Sequence, residues 1–273
     1  MKKLVVEEFD SLTQYIDVIG SRKTNSLFTG RSLSSEKNDI NFTMTETYSD
    51  SVNLAKNGYK EGLGSLMSAS VQLQHRENIK KNMPSVDFVG YAPHVANAIA
   101  GIPKSMISVT KTEQKAKVIT ILYSHGDSAF VDAESFIKAG KNVLNVMYTL
   151  ETQGYRIGLY IMDAMCKSQK AISIVQVKNW RQPSNPLKMA YPLLHPAYFR
   201  RQGFKWLETN PEIKDEAFLG TYGQPLRCYC DTVSNQKKFL RENGILKQGW
   251  FYTTFNEAYA NNADQLIKLM GIK

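Results

Sequence analysis

Residues 117–123, KVITILY, form a short, continuous, β-branched apolar run. Successive side chains of a strand point to opposite faces, so such a run needs apolar cover on both sides. That demand excludes a sheet with one wetted face and asks for helices above and below. DAESFIKAGKNVLNVMYTLETQG (132–154) supplies one, with Phe136, Val143, Val146, Met147 and Leu150 on a single stripe and a stop at Gly154. YRIGLYIMDAM (155–165) and KAISIVQVKNW (170–180) follow as strands, and LLHPAYFRRQGFKWLE (193–208) as a helix. Strand, helix, strand, strand, helix predicts an α/β fold, a sheet flanked by helices.

The flanking segments carry weaker patterns. SRKTNSLFTGRSLSSEKND (21–39) reads as a long loop or mobile arm, and 49–81 as two helices hinged at Asn57-Gly58, the first capped by Asp50 or Ser51. PLRCYCDTV (225–233) reads as a short strand with both Cys228 and Cys230 buried on one face. A helix at 235–243 ends at Gly244, and a last helix runs from a capping box, Thr254 with Glu257, to Met270. The pattern divides the chain into an arm and helical segment (1–85), a basic α/β core (86–210) and a small C-terminal α/β extension (211–273). No apolar run reaches the about 18 residues of a membrane span, and Glu7, Glu8 and Asp10 interrupt the N-terminal apolar stretch too early for a secretory signal. Three cysteines make neither a disulfide framework nor a ligand set, so the expectation is a cytoplasmic protein.

FVGYAPHVANAIAGIPKSM (88–106), with LETQGYRIGLY (150–160) downstream, resembles a family of phage-encoded proteins of unassigned activity. The strand ITILYS, the loop HGDSAF, the long helix and GYRIGLYIM also look like the opening unit of a von Willebrand A-type domain. The first resemblance implies a host-cytoplasmic protein that works beside a phage RNA polymerase as a single-stranded-DNA-binding cofactor. The second implies a doubly wound sheet and covers about a third of the chain. A-type domains hold Mg²⁺ through an Asp-x-Ser-x-Ser motif; here Tyr123, His125 and Asp127 occupy its three positions and the first carboxylate is missing. Asp127 with Ser128 is a thin oxygen supply for a hard cation, so neither metal nor cofactor is expected.

Catalysis finds little support in the residue types. His75, His94, His125 and His195 lie far apart, and His125 beside Asp127 and Ser128 reads as a surface-loop histidine. Asp127, Asp132, Glu134 and Asp163 could gather at one sheet edge as in a metal-dependent nuclease, but helix capping explains them more simply.

The charge distribution points elsewhere. The chain carries 34 basic and 25 acidic residues, a net +9. The 44 residues from Ala164 to Leu207 hold eight Lys or Arg and no Asp or Glu. Lys167, Lys170, Lys178, Arg181, Lys188, Arg200, Arg201 and Lys205 are interleaved with aromatic rings, among which Trp180, in KNWRQPSN, is the best stacking candidate. On the helix that follows, Phe199 and Trp206 fall on a packing face, while Arg201 and Lys205 fall on another, available to solvent. Cations for phosphates beside flat rings for unpaired bases predict a non-enzymatic, single-stranded-DNA-binding protein serving transcription or replication. The alternative is an A-type module that docks a protein partner.

Overall fold

The strand expected at 117–123 is an interior strand of a five-stranded sheet whose members come from both ends of the chain. The computed structural model describes residues 3–30, 32–35, 40–62, 84–109, 117–126 and 131–272. In chain order it begins with strand β1 (Leu4–Phe9), helix α1 (Leu12–Ser21), a 3-10 turn (Ser26–Phe28), and helices α2 (Ile40–Thr43) and α3 (Tyr48–Asn57). Next come β2 (Pro84–Asp87), β3 (Ala92–Pro93), α4 (Val95–Ile99) and β4 (Met106–Val109). Then follow β5 (Val118–Ser124), α5 (Ala133–Thr152), β6 (Arg156–Cys166), β7 (Lys170–Lys178), α6 (Pro186–Leu194), a π-helical turn (Tyr198–Gly203) and α7 (Phe204–Thr209). The chain closes with α8 (Phe218–Thr221), α9 (Val233–Glu242), β8 (Trp250–Thr254), α10 (Phe255–Ala260) and α11 (Ala263–Met270).

The main sheet has the order β1-β7-β6-β5-β8; β1 runs parallel to β7, β7 antiparallel to β6, and β6, β5 and β8 parallel to one another. Its two faces are both covered, as the apolar run demanded. Ile119, Ile121, Tyr123, Ile157, Leu159 and Ile161 belong to one core, under α1, α5, α6, α7, α10 and α11; Leu122, Met162, Ile172 and Ile174 belong to the other, with Leu240 of α9 and Leu246. The stripe of α5 is buried throughout, Asp132 caps the helix, and Gly154, at φ +90°, stops it. No helix among the described residues is long and apolar enough to cross a membrane.

The expected three-part division is not the one the contacts make. Residues 1–75 and 118–273 form one unit and 76–117 another, because β1 and β8 both join the central sheet. The smaller unit is a three-stranded antiparallel sheet, β2-β4-β3, with α4 capped by His94, and it carries the 88–106 stretch. None of its residues from 85 to 108 is buried; Phe88, Val89, Tyr91, Val95 and Ile99 are all exposed.

Other local expectations are corrected. The 225–233 segment is not a strand but a 3-10 turn, Leu226–Cys228, so the thiols part: Cys230 is buried and Cys228 exposed. Thr47, not Asp50 or Ser51, caps α3, with Asp50 as the return half of the capping box. The second helix of the 49–81 pair lies outside the described residues beyond Gly62. The Thr254 box is present, but the last helix breaks at Asn261, where Asn262 opens a second box and α11 starts afresh. Residues 21–35 are no free arm where described: Arg22 pairs with Glu7, whose carboxylate also accepts from Trp206 Nε1 at 2.7 Å and Asn210 Nδ2 at 3.1 Å.

Two predictions follow from this packing. An alanine Cβ at Gly140 of α5 would lie 2.0 Å from the Leu193 carbonyl oxygen of α6. Helix propensity favours Gly→Ala by about 1 kcal/mol, yet Gly140→Ala should lower the melting temperature by at least about 5 °C in calorimetry; an unchanged or raised value would contradict the close approach. His195, which closes α6 between the rings of Tyr59 and Tyr191, is pushed down to about 4 by burial, and its Nδ1 accepts from Ala197 N at 3.2 Å. The unfolded chain therefore takes up a proton near pH 6.5 that the folded chain refuses until about pH 4. Stability should fall by about 3 kcal/mol over that window and level below it. Urea unfolding of His195→Gln at pH 7, 5.5 and 4 should show a flatter acid limb than the wild type.

Candidate nucleic-acid interface

The nine residues singled out by composition do not share one surface. Lys167 and Lys170 stand at the β6–β7 turn, where the Lys170 ammonium sits 3.8 Å from the Tyr229 ring centroid and Lys167 helps to hold the Asp215 carboxylate low. That carboxylate loses solvation by burial, which bonds from Ser168, Gln169 N and Ala217 N outweigh. Trp180, Arg181 and Lys188 stand beyond the other end of β7. At about 3.3 Å per residue the two groups are about 26 Å apart along the strand.

Two of the expected cations are withdrawn from solvent altogether. Lys178 is 5% exposed; its Nζ donates to the Ile157 carbonyl at 2.7 Å and pairs with Glu151 Oε1 at 2.9 Å, tying the end of β7 to the C-terminal turn of α5. Arg201, expected to face solvent, is fully buried and donates to the carbonyls of Ser34 (2.9 Å) and Thr45 (3.0 Å) and to the Thr43 and Thr45 hydroxyls. Seven residues on, buried Glu208 accepts from Ser34 N, the Ser32 and Ser34 hydroxyls and the Tyr222 hydroxyl. The partners come from distant parts of the chain, so an acid-free run in sequence still meets acids and carbonyls in space. Phe199 and Trp206 are core residues, as their spacing indicated. Arg200 is half-buried with its guanidinium over Phe204, and Lys205 is half-buried near the Tyr48 ring.

What remains together is the loop after β7. Asn179 Oδ1 accepts from Arg181 N at 2.9 Å and the Asn179 carbonyl from Gln182 N at 3.1 Å, forming a turn; Asn185 then caps α6 with Pro186 in its first turn. The turn holds Trp180 half-buried with the exposed Arg181 guanidinium carbon 4.9 Å from its ring centroid. Beside it is a cleft of about 260 Å³, lined by Ser11 and Thr13 at the start of α1, Gln176, Asn179, Gln182, exposed Lys188, and Lys56 of α3. Asp10 is the one carboxylate in that lining. Lys56 had no local signal, because α3 meets this cleft only in the folded chain.

The carboxylates weighed for a nuclease do not converge. Asp132 is an exposed cap, Asp127 lies outside the described residues, and Asp163 is buried in β6. Among the described residues no group of three or more His, Cys, Asp or Glu could hold a metal ion. His125, expected on a surface loop, is fully buried against Tyr123, Phe136 and Tyr198.

Arg201→Ala would leave buried carbonyls without a donor, so urea unfolding should show a loss of about 3 kcal/mol and limited proteolysis should cut earlier within 21–45. Lys188→Ala, at an exposed position, should stay within about 0.5 kcal/mol of the wild type. Equal losses for the two would contradict the assignment of Arg201 to structure.

No curated protein and no solved structure matches the chain. One family model does, over residues 1–266, a span that includes β1, the arm, the smaller unit and β8. The chain therefore belongs to the family described as a domain of unknown function, DUF7192.

Proposed function

We propose that the chain binds single-stranded nucleic acid, without a catalytic step, through the loop after β7 and the cleft beside it. The observation that carries this reading is the half-exposed Trp180 under the Arg181 guanidinium, next to a polar cleft with Lys56 and Lys188. A ring face can stack an unpaired base, and the three cations can follow its phosphates. Asn179 and Gln182 offer amide groups to base edges but no recognition helix for a duplex groove. Transcription or replication is the setting that suits such binding, and a phage polymerase as partner belongs to the same proposal. A second reading, docking of a protein partner, is favoured by the exposed Phe88, Val89, Tyr91, Val95 and Ile99 of the smaller unit, which carry no phosphate chemistry.

Fluorescence anisotropy with a short labelled oligonucleotide tests the first reading. With three phosphate contacts, log K against log salt should slope at about −2, where all eight cations of the run would give about −6. Trp180→Ala should cost about 1–3 kcal/mol of binding, and Lys167→Ala with Lys170→Ala almost nothing. No anisotropy change at low salt sinks the proposal, and so does equal affinity for duplex.

A further inference from the structure

In the core of the larger unit, a polar row crosses three strands. Asp163 of β6 lies directly opposite Ser173 of β7, and His125 follows the end of β5, whose Ser124 pairs with Met162. Tyr15 of α1 and Tyr198 of the π-helical turn close over the row, with ring centroids 6.1 Å apart. All five residues are at most 1% exposed. Both Asp163 oxygens, both His125 ring nitrogens, and the hydroxyls of Ser173, Tyr15 and Tyr198 have no hydrogen-bond partner among the described residues. His125 Nδ1 and Asp163 Oδ1 are 3.5 Å apart, near enough to attract but without hydrogen-bond geometry. Tyr15 and Ser173 likewise interact without a well-formed bond.

Buried polar groups in folded proteins are almost always satisfied, and a buried carboxylate without donors is among the costliest exceptions. Five oxygen atoms, two of them from one carboxylate, are brought to this part of the core by four elements. We propose that this polar cluster is a binding site for a small monovalent inorganic cation, Na⁺ or K⁺, with Asp163 as the charged ligand and the Ser173, Tyr15 and Tyr198 hydroxyls as neutral ones. Oxygen donors select a hard cation, and one imidazole with one carboxylate and no thiolate is a poor set for zinc or its neighbours. Mg²⁺ keeps several waters and an octahedral shell, which surroundings as apolar as the rings of Tyr123, Phe136 and Phe199 around His125 do not suit. The charge of one carboxylate matches one positive charge. This site is independent of the nucleic-acid reading, since it uses none of the same residues.

Thermal melting of the full chain in matched KCl, NaCl and N-methyl-D-glucamine chloride tests it, because the organic cation is too large to enter. At an inorganic cation concentration about 100-fold above half-saturation, KCl or NaCl should raise the melting temperature by about 5–10 °C over the organic salt. The rise should saturate with concentration. Asp163→Asn should melt at one temperature in all three salts, and Ser173→Ala should keep the rise but need about tenfold more cation to reach half of it. Equal wild-type melting in the three salts overturns the proposal, as does an undiminished difference in Asp163→Asn. If Asp163→Asn does not fold, Ser173→Ala decides, an unchanged half-saturation point being the overturning result.

Discussion

Charged groups removed from water must be met by opposite charge or by hydrogen bonds, and here the meeting points knit together parts of the chain that local pattern keeps apart. Glu7 of the first strand holds Arg22, Trp206 and Asn210. Arg201 and Glu208, seven residues apart, seize the backbone and hydroxyls of Ser32, Ser34, Thr43 and Thr45. Lys178 takes Glu151. The Ser- and Thr-rich composition of the 21–45 region thus has a physical reason: short hydroxyl side chains and open carbonyls can serve a buried guanidinium and a buried carboxylate at once.

The same requirement reshapes the functional reading. A count of cations along the sequence treats each as free, but a long side chain can turn inward when a partner from elsewhere awaits it. Two of the eight do so, and the rest divide between opposite ends of β7 and the flank of the π-helical turn. The group that stays together, around Trp180, is smaller than the sequence run suggested and gains Lys56 from a helix more than a hundred residues earlier.

Elements with a strong local signature were legible. The doubly buried β5, the stripe and stop of α5, the long strands β6 and β7, and the Thr254 capping box all follow from spacing that acts within a few residues. The edge strands were not. Leu4–Val6 is too short an apolar run to announce a strand, and β8 merges into the helix that its last residue caps. His125 was misplaced for a related reason: directly before Gly126-Asp127-Ser128 in the sequence, it looks solvent-bound until the Tyr198 and Phe136 rings arrive from distant elements.

The pairing of β1 with β7 also sets an order in time. Leu4 lies opposite Lys170, so at the usual 5–20 residues per second the ribosome makes the partner roughly 10–30 s after the strand itself. Through that interval β1 lacks the strand it pairs with, and closing so long a loop slows the search for it. A nascent chain of this protein therefore carries β1 unpaired until β7 has emerged, and any factor that shields emerging chains has work there in the meantime.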